Sequence, residues 1–102
     1  MDLRVSPSVL EKLGIRHRVT LAEVEECFRN RSGRFLRDAR EKHKTKPGTL
    51  WFIAPTDSGR LLKVVFIPAR QGCVLKSAFE PNRIENLIYA RYGIGVWRAS
   101  WR

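Results

Sequence analysis

The sequence predicts an α+β domain in which two N-terminal helices precede a four-stranded antiparallel meander and one C-terminal helix closes the chain. Three observations carry that reading. Helix-start signals and a 3.6-residue apolar period occupy the first 30 positions, short β-rich runs bounded by turn residues follow, and a helical stripe returns after Pro81. Connections this short demand antiparallel neighbours, and apolar helical stripes must cover a sheet face, so the expected architecture is a two-layer sandwich. A chain of 102 residues can build one core, so 1–102 is read as a single domain.

Ser6 can cap the first helix, Pro7 suits its first position, and Val5 can pack on Leu10. Gly14 is expected to end it after Leu13. Thr20 and Glu23 have the spacing of a capping box for the second helix, flanked by Val19 and Val24. Leu21, Val24, Cys27 and Phe28 then share one face, with Glu23, Glu25 and Glu26 on the other. The strands are read at 34–37, 49–54, 60–67 and 73–79, with hairpin-sized turns at 55–59 and 68–72. The last helix opens at Pro81-Asn82-Arg83 and carries Ile84, Leu87 and Ile88 until Gly93. In the tail 93–102, the alternation leaves a short strand and a frayed end equally open.

Twenty Lys and Arg against ten Asp and Glu give a formal net charge of +10, and the sequence pI is about 10.6. An excess of this size favours a polyanionic partner: nucleic acid, an acidic protein, or an anionic membrane surface. The blander alternative is a solvated basic surface with no ligand. A membrane is the weakest partner, because no apolar run approaches about 20 residues, and Met1-Asp2-Leu3-Arg4 lacks the apolar segment of a secretory signal. The expected location is the cytoplasm. Cys27 and Cys73 form no Cys-x-x-Cys pair, and neither His17 nor His43 stands at ligand spacing to them, so no metal and no cofactor are expected.

Lys63 and Lys76 each interrupt an otherwise apolar strand. If the hairpin pairs so that Val64 meets Leu75, the two ammonium groups stand side by side and need an anion between them, for which phosphate is the natural candidate. A slip of one residue sends them to opposite faces, and both could instead snorkel past a sheet edge. The polar segment 38–48 separates two strands and gathers Arg40, His43, Lys44 and Lys46, with His43 able to titrate near neutrality. Arg60 opens the third strand and Glu80 ends the fourth. RNA cleavage needs a base for the 2′-hydroxyl proton, an acid for the leaving oxygen, and cations around the phosphorus. His43 can serve as base or acid, Glu80 as a weaker base or orienting group, and Lys63, Lys76, Arg40 and Arg60 as charge stabilisers. Lys44, Lys46, Arg37 and Arg91 are the expected nucleic-acid contacts, although Lys46 could be merely solvated. Tyr89, Tyr92, Trp97 and Trp101 could stack on bases, with core packing the competing role, and Trp51 is expected to be buried.

Between about Gly14 and Tyr92, several motifs together resemble the BrnT group of bacterial toxins, whose fold is related to RelE and ParE. They are Gly14-Ile15, Leu21-Ala22-Glu23-Val24 with Phe28, Asp38-x-Arg40-x-x-His43, Gly59-Arg60-Leu61-Leu62-x-Val64-Val65-Phe66, Ser77-Ala78, and Glu85 with Tyr89. The resemblance implies a metal-independent endoribonuclease of a type II toxin–antitoxin pair. Such an enzyme cleaves RNA through the 2′-hydroxyl, either free or as mRNA on the ribosome, and so arrests translation. It also implies a cognate antitoxin, typically DNA-binding, held in a hetero-oligomer. One position departs from the group: Phe79 and Glu80 follow Ser77-Ala78 where a basic residue is usual, and Lys76 precedes them. The alternative is a non-catalytic protein that binds nucleic acid or an acidic partner through the same basic surface.

Overall fold

A computed structural model describes residues 2–38 and 48–95. The fold is α+β. Strand β1 (Asp2–Arg4) leads into helix α1 (Pro7–Lys12), which widens into a π turn (Leu13–His17), and helix α2 (Leu21–Asn30) follows. Strands β2 (Leu36–Arg37), β3 (Leu50–Pro55), β4 (Leu61–Ala69) and β5 (Gly72–Phe79) come next, and helix α3 (Arg83–Ile88) runs into a second π turn (Tyr89–Ile94).

The helix-start signals work as read. Ser6 Oγ accepts from the Val9 amide at 3.3 Å. Thr20 Oγ1 accepts from the Glu23 amide at 3.1 Å while Glu23 Oε1 accepts from the Thr20 amide at 3.0 Å. Gly14 does not end the first helix. The chain continues through it to His17, and Arg18 ends it in the left-handed region at φ 52°, with the Arg18 and Val19 amides both closing on the Leu13 carbonyl. Glycine alone is a weak stop, and the turn falls instead at Arg18, where the next residue, Val19, is drawn into the core.

Strands β2 to β5 form the expected antiparallel meander, but the sheet has five strands in the order β1-β5-β4-β3-β2, and β1 lies parallel to β5. Asp-Leu-Arg carries no strand signal of its own. What places it is a long-range pairing of Leu3 with Cys73, and Gly72 lets the strands close up, since a Cβ there would collide with the Asp2 backbone.

Alternation along the strands assigns the two faces. On one, Phe52, Val64 and Phe66 meet α2, with the Phe28 ring 4.8 Å from Phe52 and 5.3 Å from Phe66. Val24 and Cys27 are fully buried there, and the Cys27 thiol donates to the Ala54 carbonyl at 3.4 Å. The other face carries Trp51, Lys63 and Phe79, and the second π turn packs over β2 and β3 on that side. The helices thus flank the sheet on both faces, where one covered face was expected. Tyr89 is the reason: its ring lies 5.6 Å from Trp51 and its hydroxyl donates to the Arg34 carbonyl at 2.8 Å. Gly93 gives that ring its space, because a Cβ there would overlap it. Among the described residues, no helix is long and apolar enough to cross a membrane.

Candidate functional site

The register decides where the two strand lysines go. Lys63 pairs with Phe79, Val64 with Ala78 and Val65 with Ser77, and then Phe66 pairs with Leu75, so Lys76 is the extra residue of a β-bulge. Val64 does not meet Leu75, the register that would have set the two lysines side by side, and Lys63 and Lys76 are not neighbours across the hairpin. A bulge absorbs one residue without flipping the apolar set on either side, which is why parity alone misplaced Lys76. Lys76 is exposed, whereas Lys63 is only 3% exposed.

Lys63 needs an anion, as its surroundings dictate, and the chain supplies it. Its Nζ lies 2.7 Å from Glu85 Oε2, 4.5 Å from the centroid of the Trp51 ring and 5.6 Å from that of Phe79. The ion pair and the two ring faces together offset the cost of removing an ammonium group from water. Glu85 is placed by the start of α3, where it is the third residue of a capping box. Its Oε1 accepts from the Asn82 amide at 2.9 Å and Asn82 Oδ1 accepts from the Glu85 amide at 2.8 Å. One carboxylate therefore both starts the helix and ties it to β4.

Above this pair opens a groove of about 510 Å³ between α3 with its π turn and strands β2 to β4. Trp51, Lys63 and Glu85 lie at its base, Ile84, Ile88 and Tyr92 form one wall, and Arg37 and Asp38 stand on the opposite rim. The helical wall is largely exposed: Ile84 is 67% accessible, Ile88 40% and Tyr92 55%. No residue of α3 itself is buried.

Arg60 lies elsewhere and is fully engaged. Its guanidinium donates to Glu80 Oε2 at 3.0 Å, to the carboxylate of Glu23 at 3.2 Å, and to the carbonyls of Arg18 at 2.8 Å and His17 at 2.9 Å. It joins the end of the first π turn, the start of α2 and the tip of β5, the work of a structural tie. The Glu23 carboxyl is held below its usual value, first by the Thr20 amide and then by Arg60, against the opposing effect of burial. Burial also opposes the charge on Arg60, but the hydrogen bonds it donates to Glu23 and Glu80 outweigh it and its pKa is raised.

The structure therefore brings Lys63 and Arg37 to the same groove, separates Lys76 at the bulge, and commits Arg60 and Glu80 to each other. Arg91 is exposed, with its guanidinium 5.3 Å from the Tyr92 ring. Arg40, His43, Lys44 and Lys46 lie outside the described residues, as do Trp97 and Trp101. Tyr89 belongs to the core, as does Trp51. Sequence reasoning did not reach Glu85 as the partner of Lys63. The Asn82-x-x-Glu85 spacing announces a capping box, but not that the second oxygen reaches a lysine 22 residues away. It also missed His17, whose ring lies 5.5 Å from Phe79. Among the described residues, no group of three His, Cys, Asp or Glu could hold a metal ion. No protein-family model matches this chain, and no curated protein or solved structure matches it either.

Proposed function

We propose that this chain is the RNA-cleaving toxin of a type II toxin–antitoxin pair, RelE-like in architecture and silenced by a protein antitoxin. The observation that carries the reading is an ion pair, Lys63 with Glu85, sunk into the base of an open groove in a protein of net charge +10. Buried charge pairs seldom add stability over apolar packing, so one beside a concave surface points to chemistry. Glu85 takes the 2′-hydroxyl proton, O2′ attacks phosphorus, the P–O5′ bond breaks, and the Lys63 ammonium meets the charge gathering on the phosphorane. The leaving oxygen takes its proton from solvent. The antiparallel meander of β2 to β5 with α2 packed on one of its faces supports the likeness to RelE.

The test is incubation of purified protein with end-labelled RNA in chelator. Cleavage ending in 2′,3′-cyclic phosphate is expected, and Glu85→Gln should lose cleavage while retaining RNA binding. A second reading, a non-catalytic basic protein that binds RNA, is favoured by the neutralisation of both Lys63 and Arg60 within the chain. Salt-dependent binding without products from folded wild-type protein would select it.

A further inference from the structure

We propose that the groove receives one unpaired nucleotide of single-stranded RNA, with the base lying against Tyr92 and the phosphate on Arg37. The inference rests on the reading of the protein as RNA-directed, and adds to it the position and strandedness of the ligand.

Three features of the groove define the guest. Its volume of about 510 Å³ suits a single small ligand, well short of a duplex. Its wall of Ile84, Ile88 and Tyr92 stays exposed although each side chain would gain from burial, and clustered exposed apolar groups rimmed by polar ones mark a contact surface. A flat ring fits such a wall, since a base stacks on an aromatic face without regard to sequence. On the far rim the Arg37 side chain is exposed and makes no hydrogen bond or ion pair among the described residues, which leaves it for a phosphate next to the one that Lys63 and Glu85 act on. The anion therefore goes to Arg37. A nucleotide carries both halves of this guest, a flat apolar ring and an anion, one sugar apart, and the net charge of +10 favours its approach. Within a duplex the base is stacked and paired, so only an unpaired strand can present it.

The experiment measures binding of fluorescent oligoadenylate, oligouridylate and an RNA duplex across a salt series in chelator. Tyr92→Ala should weaken single-strand binding about tenfold or more while Tyr92→Phe stays near wild type. Arg37→Gln should weaken it and lower the salt slope by about one, and duplex affinity should not respond to Tyr92→Ala. Ile84→Ser, at a 67% exposed position, repeats the test should Tyr92→Ala prove unfolded by circular dichroism. Single-strand affinity unchanged by folded Tyr92→Ala and Ile84→Ser overturns the groove assignment and leaves the RNA reading standing. Wild-type protein that binds no RNA at low salt overturns both. A glutamate-rich peptide whose binding alone responds to Tyr92→Ala assigns the groove to a protein partner and overturns the proposal.

Discussion

Replacing Arg60 by alanine separates a structural tie from a catalytic cation. In the folded protein this guanidinium serves two carboxylates and two backbone carbonyls, and its side chain is only 25% exposed. Its bond to Glu80 counts for little, because that carboxylate is 67% exposed and water replaces the arginine. The bonds to Glu23 and to the two carbonyls are more sheltered, and hydrogen bonds of charged groups are each worth about 1.5–3 kcal/mol before water refills the site. Allowing for that refilling, the expected loss is about 2–3 kcal/mol. At about 4–8 °C per kcal/mol for a domain of this size, the thermal midpoint should fall by about 8–24 °C. Urea unfolding at neutral pH should show the same loss, and Arg60→Lys, which keeps the charge but cannot reach four acceptors, should fall between. The pH dependence supplies a second reading of the same tie. Because the Glu23 carboxyl is held below its ordinary 4.5, its contribution is present above that value and is lost as the pH falls through the folded-state pKa. Arg60→Ala should flatten part of that acid limb and leave the part owed to the Thr20 amide. An Arg60→Ala protein as stable as wild type but inactive on RNA would refute the structural assignment and restore the arginine to the chemistry.

Truncating either member of the buried pair should be costly: Lys63→Ala or Glu85→Ala leaves a charge without its partner and should lose about 3–5 kcal/mol by urea titration, whereas Lys63→Met with Glu85→Gln should recover most of it. The Cys27 thiol, pushed up to about 12 mainly by burial, should resist alkylation at pH 8 in native protein and react on unfolding, followed by mass spectrometry. Lys76→Ala, at the exposed bulge, should change stability by less than about 0.5 kcal/mol by the same titration. Thr20→Ala removes the side-chain cap of α2 and should cost about 1 kcal/mol in thermal unfolding.

Much of the secondary structure was legible because its causes are local. Thr20 and Glu23 announce their helix within four residues, and the turns at 55–59 and 68–72 announce their hairpins. Strand β1 was not legible, since a three-residue segment gains its conformation only from β5, seventy positions away. The site was harder still. The need of Lys63 for an anion could be read from its apolar neighbours, yet the identity of that anion depended on how α3 lies over the sheet.

What the amino-acid order determined alone was the basic character of the protein, its α+β class, its helix caps and the unease of a lysine among Leu, Val and Phe. All are properties of composition and near neighbours. Tertiary structure decided the rest: the register that isolates Lys76, the tie that consumes Arg60, and the groove above Lys63 and Glu85. The physical reason is that charge partnership depends on distances of a few ångströms between residues far apart in the chain, and a single bulge or helix placement resets those distances without altering any local pattern.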